Sequence, residues 1–277
     1  MGRVFSNTIL YAFVLFVLFA CNSSNNNKDN STVIAKKSSS KTVHKSERYV
    51  RNNYQTKESR LTRQANKFIG SYFLKGYHEE KLIALTFDDG PSQYTEQILD
   101  VLATSNIKAS FFWQGSRLAQ FQNVIERTKL AGHTIANHSW DHPHSAVLPT
   151  KVWWQQQVLK TNEEMHKLLG ITPHFYRPPF GEISDKQVKH LKQQGMKVIL
   201  WSADSQDWND KTNSVVNIQN AIISYQHPEM ITLMHDGGGN RQNTVDALPA
   251  IIKHYHQQGY RFVTLQTLLG ISDKDTL

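Results

Sequence analysis

The sequence contains a single cysteine, Cys21, so the chain has no internal disulfide. Its apolar run from Ile9 to Ala20 is shorter than a transmembrane helix usually requires. Residues 67–277 lack net charge, because they hold twenty basic and twenty acidic residues. The folded part therefore gives no electrostatic reason to expect nucleic-acid binding.

The N-terminal residues follow the pattern of an export signal, in which a basic residue precedes an apolar run. Arg3 precedes the apolar run, and Leu18-Phe19-Ala20-Cys21 ends it. These last four residues resemble a bacterial lipoprotein signal, in which the cysteine is lipidated after cleavage before it. Phe19 departs from the small residue usual there, so an ordinary signal peptide or an uncleaved anchor stays open. We expect residues 1–21 to direct export, with lipidated Cys21 holding the protein on a membrane of the bacterial cell envelope, or secretion without it.

Residues 22–66 are rich in Asn, Ser, Lys and Thr and have few large apolar side chains, which predicts a disordered tether. This segment holds ten basic and three acidic residues. Its net charge of +7, together with Arg3, accounts for the formal +8 of the chain. Such a tether suits contact with anionic lipid or wall polymer. We therefore place the folded domain at residues 67–277.

Short apolar segments alternate with helical periods after residue 67, which predicts about seven strand–helix units. The predicted strands are Ile83–Phe87, Ala109–Phe112, Thr134–Ala136, Phe175–Tyr176, Val198–Trp201, Ile231–Met234 and Phe262–Leu265. The predicted helices are Thr95–Thr104, Arg117–Leu130, Thr150–Leu169, Ser184–Gln194, Val215–Tyr225 and Val245–Gln257. Short connections of this kind are typical of an α/β fold with a parallel sheet or barrel, and nothing indicates a second folded domain.

The first predicted strand ends in two adjacent carboxylates, Asp88 and Asp89, before the turn at Gly90-Pro91. Two acids inside a buried strand would be costly to desolvate. They are tolerable at its carboxyl end, where α/β barrels place their chemistry, and the turn at Gly90 can swing both toward one site. Asp-Gly is also a common turn dipeptide, so this stretch alone is equally compatible with a structural turn.

A pair of histidines follows the third predicted strand. His138 and His142 are four residues apart, so one helical turn would bring both imidazoles to one face. Two imidazoles and a carboxylate form a three-ligand site that leaves positions open for water and substrate. Such a donor set suits Zn²⁺, with Co²⁺ or Ni²⁺ as alternatives. Histidines interpreted as bystanders are His133, His144, His254 and His256.

Three later strands also end in polar side chains. Arg177 stands before two prolines, which hold it on a rigid extended turn. The segment from Asp204 to Trp208 follows the next strand, and His235 follows the one after that. Each segment has a structural explanation when taken singly. Five in succession favour one shared site.

These segments resemble, in order and spacing, the five motifs of polysaccharide deacetylases, the NodB-homology group or carbohydrate esterase family 4. The motifs are Thr86-Phe87-Asp88-Asp89-Gly90-Pro91, His138-x3-His142, Arg177-x-Pro179-Phe180-Gly181, Asp204-x2-Asp207-Trp208 and Leu233-Met234-His235, within about residues 80–265. The resemblance implies a distorted (β/α)7 barrel with a single catalytic domain. It also implies metal-dependent removal of acetyl groups from sugars.

The resemblance further implies a role for each matching residue. Asp89, His138 and His142 would hold the divalent metal. Asp88 would be the general base that activates water, oriented by Arg177.

By the same resemblance, His235 would protonate the leaving amine, with Asp207 rather than Asp204 as its partner. The backbone N–H of Phe180 would help to stabilise the oxyanion. Trp208 and Leu233 would line the pocket for the acetyl methyl group.

We therefore expect an exported metal-dependent N-deacetylase whose partner is an N-acetylated polysaccharide of the GlcNAc or MurNAc type, such as peptidoglycan, a chitin-like polymer or an exopolysaccharide. The motifs do not separate amide from ester hydrolysis, so an O-acetyl esterase of xylan-type glycan is an alternative. A surface protein that binds glycan without turnover and a metallohydrolase of small molecules are two others. The sequence specifies neither the polymer nor the oligomeric state.

Overall fold

The computed structural model describes residues 60–271, which fold around a sheet of ten parallel strands. The strands are β1 (Tyr72–Phe73), β2 (Leu82–Ala84), β3 (Thr86–Asp88), β4 (Ser110–Trp113), β5 (Thr134–Asn137), β6 (Phe175–Tyr176), β7 (Lys197–Ile199), β8 (Ala203–Asp204), β9 (Met230–His235) and β10 (Arg261–Phe262). They are arranged in the order β1-β7-β6-β5-β4-β3-β9-β2-β10, and β8 pairs with β9. Because β1 and β10 end this order, the described sheet is a curled, incompletely closed barrel. The predicted α/β class is confirmed.

The helices cover the outside of the sheet. They are α1 (residues 60–67 as described), α2 (Gln93–Thr104), α3 (Gln122–Leu130), α4 (Thr150–Trp153), α5 (Lys160–Leu169), α6 (Asp185–Gln193), α7 (Val215–Ser224), α8 (Gln242–Gln257) and α9 (Leu265–Leu268). Turns of 3₁₀ helix cover Gly115–Gln120, Ser145–Val147 and Pro179–Gly181, and a π-helical turn, Trp154–Leu159, joins α4 to α5. No helix within residues 60–271 combines the length and the apolar character that crossing a membrane requires.

The predicted strand Ile83–Phe87 is two strands in the structure, because the chain changes neighbours at Leu85. β2 pairs with β10 and β9, whereas β3 pairs with β4 and β9. At the break the amide of Thr86 donates to the hydroxyl of Thr232, 3.1 Å away, instead of to a strand carbonyl. This bend separates the buried strand β2 from β3, which carries the carboxylates.

Other predicted elements shift at their ends or break. The predicted helix Arg117–Leu130 is a 3₁₀ turn followed by α3, because Phe121 leaves helical geometry at φ −126° and ψ 40°. The predicted strand Phe262–Leu265 ends at Phe262, and Leu265 begins α9. Helix α6 begins as expected, with Ser184 and Gln187 forming a reciprocal capping box. The two-residue strands β1 and β8 were not predicted.

The boundary predicted between tether and domain is corrected by α1. Residues 60–66 were assigned to the tether, yet Leu61 and Phe68 lie in a buried cluster with Tyr72. Gln64 is 1% exposed, and its amide donates to the carbonyl of Ile183 at 2.9 Å. The packed region therefore includes residues from 60 onward. The predicted signal peptide and most of the predicted tether lie outside the described residues.

Replacement of Leu61 tests whether α1 belongs to the folded domain. Leu61→Ala removes a buried side chain and should lower the free energy of unfolding by about 2–4 kcal/mol in urea denaturation. Leu130→Ala is the matched control, because Leu130 is 78% exposed and the same substitution should cost at most about 0.5 kcal/mol there. Equal effects of the two substitutions would show that α1 does not contribute to the stability of the folded domain and belongs to the tether.

Candidate active site

The carboxyl ends of the strands open into one cavity of about 320 Å³. Parallel strands place these ends at the same edge of the sheet, which explains why residues distant in sequence meet there. Eight of the ten residues predicted for the site line the cavity: Asp88, Asp89, His138, His142, Phe180, Trp208, Leu233 and His235. The other two, Arg177 and Asp207, are buried behind it at 0% and 1% exposure.

The adjacent carboxylates of Asp88 and Asp89 both line the cavity, but they contact different side chains. Asp88 is the last residue of β3, and its Oδ1 accepts a hydrogen bond from Arg177 at 2.7 Å. Asp89 has a left-handed backbone, with φ of +73°. This conformation, at Asp89 itself and not at Gly90 as predicted, lets both side chains face one cavity. A straight strand would point them to opposite sides.

Asp89, His138 and His142 form a donor set that fits a metal ion. Asp89 Oδ1 lies 3.5 Å from His138 Nε2 and 3.4 Å from His142 Nε2. The three ligand atoms lie within 4.8 Å of one another. Ligands placed tetrahedrally at about 2.1 Å from Zn²⁺ are about 3.4 Å apart, so these spacings match.

The histidine pair is held by a loop, which corrects the predicted helical turn. Ser139 and His142 both have left-handed backbones, with φ of 69° and 61°. The amide of Ser139 donates to Asn137 Oδ1 at 2.8 Å, and that of His142 to Ser139 Oγ at 3.0 Å. The imidazoles converge because of these turns rather than through helical spacing.

The protonation of the three groups suits ligand chemistry. Burial acts to raise the pKa of Asp89, but the imidazoles of His138, His235 and His142 outweigh it, and the pKa is lowered. Burial and the neighbouring His138 lower the pKa of His142, which favours its neutral form. His138 Nδ1 lies 2.7 Å from the carbonyl of Arg177, so Nδ1 donates and Nε2 is left to face Asp89.

Arg177 joins several strand ends through its guanidinium group. Besides Asp88 it donates to the hydroxyl of Thr86 at 2.7 Å and to the carbonyls of Ile199 and Leu200 at 3.1 and 2.9 Å. Burial lowers the pKa of Arg177, and the opposing effect of Asp88 only partly offsets it. The resulting buried ion pair fixes the direction of the Asp88 carboxylate.

His235, which lines the same cavity, is paired with Asp207. Its Nδ1 lies 2.6 Å from Asp207 Oδ1, and its backbone amide donates to Asp207 Oδ2 at 2.8 Å. Burial disfavours the imidazolium, but the charge and hydrogen bond of Asp207 outweigh it and raise the pKa of His235 to about 9. Asp204 instead accepts the indole N–H of Trp208 at 3.2 Å, and burial raises its pKa.

Aromatic side chains form the outer wall of the cavity. Phe180 is 41% exposed and Trp208 50% exposed, so both present ring surface at the cavity mouth. The ring of Phe180 stacks on that of His144 with centroids 4.0 Å apart. His144 Nδ1 also lies 3.1 Å from Glu182. His144, interpreted from the sequence as a bystander, thus supports a residue predicted to bind substrate.

Sequence reasoning assigned no role to Asp236, which is fully buried beneath the carboxylate turn. Its carboxylate accepts from the amide of Gly90 at 3.0 Å, from Thr95 Oγ1 at 2.6 Å and from Trp113 Nε1 at 2.9 Å. A Cβ at Gly90 would lie 2.2 Å from Asp236 Oδ2, so glycine is required by this close approach. Burial raises the pKa of Asp236 to about 7. The only sequence signal was its position directly after His235.

Arg241 was missed because it precedes α8 without any recognisable pattern. Its guanidinium donates to the carbonyls of Gly237 and Asp207, both at 2.8 Å, and lines the cavity beside Gly238. It thereby ties the loop after β9 to the segment that carries Asp207.

Known proteins resemble this chain in sequence and in fold. A family model described as polysaccharide deacetylase matches residues 75–199. The chain is 38% identical to a peptidoglycan-N-acetylglucosamine deacetylase of Bacillus cereus, over 73% of each protein. It is 35% identical to the peptidoglycan-N-acetylmuramic acid deacetylase PdaC of Bacillus subtilis, over 68% of this chain and 39% of that protein. The solved structure of a peptidoglycan N-acetylglucosamine deacetylase with a bound N-hydroxybenzamide derivative superposes with a TM-score of 0.72 at 37% identity, covering 76% of this chain and 97% of the other.

Substitution of Asp207 tests the origin of the raised pKa of His235. Asp207→Asn removes the largest influence that raises the pKa of His235 while burial persists, so this pKa should fall clearly below about 9. An NMR titration of the imidazole resonances in the metal-free protein measures this. Asp204→Asn is the control, because that carboxylate is also buried but makes no hydrogen bond to His235. Equal shifts in the two variants would contradict the assignment.

Proposed function

Because the chain belongs to the polysaccharide deacetylase family, we propose that it is a metal-dependent N-deacetylase of a polymer containing GlcNAc or MurNAc and that it releases acetate. The observation that carries this proposal is the separation of the two adjacent carboxylates. Asp88 is bonded to Arg177, whereas Asp89 lies between the imidazoles of His138 and His142. The relatives named above as peptidoglycan deacetylases support the choice of substrate.

Asp89, His138 and His142 would hold the metal, since their spacing matches a tetrahedral ion and their donor atoms suit Zn²⁺, Co²⁺ or Ni²⁺. Such an ion supplies Lewis acidity, which polarises an acetyl carbonyl and makes water more acidic. The hydrogen bond from His138 Nδ1 to the carbonyl of Arg177 keeps Nε2 available as a ligand. The chain thus prepares this site with its own hydrogen bonds.

Asp88 would take the proton from the attacking water. Its Oδ1 is occupied by Arg177, so Oδ2 is the oxygen left for this task, and it lies 3.8 Å from His138 Nε2. The charge-assisted hydrogen bond from the guanidinium group fixes the direction of the carboxylate that would act as the general base. Arg177 therefore orients the base.

His235 would give a proton to the nitrogen of the leaving sugar amine. A pKa of about 9 means that the imidazole carries this proton at neutral pH. Asp207 holds it in place through Nδ1, so the proton on Nε2 is the one available for transfer. The same imidazolium could protonate an ester oxygen, so His235 does not distinguish amide from ester substrates. The assay of acetate release described below makes this distinction.

The remaining cavity residues would bind the substrate. Trp208 and Leu233 line the cavity and would enclose the acetyl methyl group. We assign the backbone N–H of Phe180 to the developing oxyanion, with its exposed ring offered to a sugar. Because this donor belongs to the main chain, the phenyl ring itself is dispensable for oxyanion stabilisation.

Export and lipid anchoring are further parts of the proposal, and they concern Cys21, which lies outside the described residues. The apolar run before Cys21 and the basic segment after it support attachment to the bacterial cell envelope, with secretion as the alternative. Metabolic labelling with a fatty-acid analogue in a bacterial host should tag the parent protein and leave Cys21→Ser unlabelled. Equal labelling of both would exclude lipidation at this cysteine.

Acetate release from GlcNAc oligomers and peptidoglycan tests the enzymatic proposal. The metal-stripped protein should be inactive, and Zn²⁺ should restore activity. Asp88→Asn should lower kcat by about 10²–10⁴-fold, because it removes the general base. Asp246→Asn, at an exposed position on α8, is the control and should keep parental activity.

Three results would redirect the assignment. Acetate from acetylated xylan but not from GlcNAc polymers would favour the O-acetyl esterase. Turnover of small N-acetyl compounds alone would favour a general amidase. A zinc-loaded parent that binds glycan and shows the same negligible turnover as Asp88→Asn would favour a glycan-binding protein.

A further inference from the structure

We call residues 138–142, which follow β5 and carry the two proposed histidine ligands, the metal-binding loop. The helical segment packed against it runs from α4 to α5 and contains the π-helical turn Trp154–Leu159. Such turns are rare and recur at functional sites. Within this turn Gln157 and Val158 are buried, whereas Gln155 and Gln156 are exposed. The turn thus buries two consecutive residues, and one of them, Gln157, faces the loop that follows β5.

Gln157 contacts the middle of that loop with both atoms of its amide. Its Oε1 accepts from the backbone amides of Trp140 at 3.0 Å and Asp141 at 3.4 Å. Its Nε2 donates to Asp141 Oδ1 at 2.9 Å. Through these hydrogen bonds Gln157 holds the stretch between His138 and His142 in place. Its side chain is 8% exposed and does not line the cavity.

Asn137 connects the same helical segment to the start of the loop. Its Nδ2 donates to the carbonyl of Val158 at 2.9 Å and to Asn162 Oδ1 at 2.7 Å. Its Oδ1 accepts the amide of Ser139. The helical segment is thereby hydrogen-bonded on both sides of His138.

The loop needs such support because its own backbone is unfavourable. Ser139 and His142 adopt left-handed conformations that residues with a Cβ seldom populate. These are the turns that direct the Nε2 atoms of His138 and His142 toward Asp89. Conformations of this kind persist only where the surrounding contacts hold them.

We propose that Gln157 is a positioning residue for the metal site, with Asn137 as the second support of the same loop. The inference rests on the metal-dependent function proposed above. Gln157 does not touch the ion. It holds the loop so that the two imidazoles are preorganised before metal binds.

The test is the zinc affinity of the metal-stripped protein, measured by competition with a chromophoric chelator. Gln157→Ala should weaken zinc binding by about 10–100-fold, as expected for loss of a group that orients metal ligands. Gln156→Ala is a matched control in the same turn, exposed and of the same residue type, and should stay within about twofold of the parent. In acetate release, kcat of Gln157→Ala at subsaturating zinc should fall while KM for the glycan is unchanged.

An exchange of donor and acceptor separates positioning from general packing. Gln157→Glu loses the donor that faces Asp141 and places two carboxylates together, so it should also weaken zinc binding. Adding Asp141→Asn to it supplies an amide that can donate to the new carboxylate, and zinc affinity should recover to within about threefold of the parent. Circular dichroism of the metal-free variants checks that each is folded.

Two results would overturn the inference in distinguishable ways. If the parent binds zinc and Gln157→Ala binds it as tightly as Gln156→Ala, the positioning role is wrong and the proposed function stands. If the parent itself binds no zinc, the metal-dependent function fails, and this inference fails with it.

Discussion

The buried ion pair between Arg177 and Asp88 is the interaction on which the site depends. Arg177 has no exposed surface, and removing one partner of such a pair would leave a charge uncompensated in the interior. Its guanidinium joins β3 to the carbonyls at the end of β7, and its own carbonyl accepts a hydrogen bond from His138 Nδ1. One residue therefore aligns the proposed general base, a proposed metal ligand and two strand ends. Lysine could not make this set of contacts, because it lacks the planar fork of donors.

The same pair explains how two adjacent carboxylates come to have different partners. Arg177 occupies one oxygen of Asp88 and so holds that side chain on its own side of the cavity. The left-handed backbone at Asp89 turns the next side chain toward the imidazoles. Asp236 supports this arrangement from below by binding the amide of Gly90. The cost of this strained turn is offset by hydrogen bonds that the rest of the fold provides.

Much of the fold and the site could be predicted from the sequence, because five of the predicted strands are short apolar runs that end in polar residues. Periodicity could not reveal β1 and β8, which are two residues long. The left-handed loop at His142 was predicted as a helical turn, since four-residue spacing suits both geometries. The π-turn was also hidden, because its residues continue a helical pattern on either side. Gln157 could be linked to the loop that carries His138 and His142 only from the tertiary structure, which brings them together.

A crystal structure of the zinc-loaded protein, with the ion located by its anomalous scattering, would test the central claim most directly. The account predicts one zinc at about 2.0–2.2 Å from a carboxylate oxygen of Asp89 and from Nε2 of His138 and His142. Asp88 should remain hydrogen-bonded to Arg177 and out of bonding distance from the ion. Zinc bound by Asp88, with the pair to Arg177 broken, would contradict the separation of the two carboxylates into base and ligand.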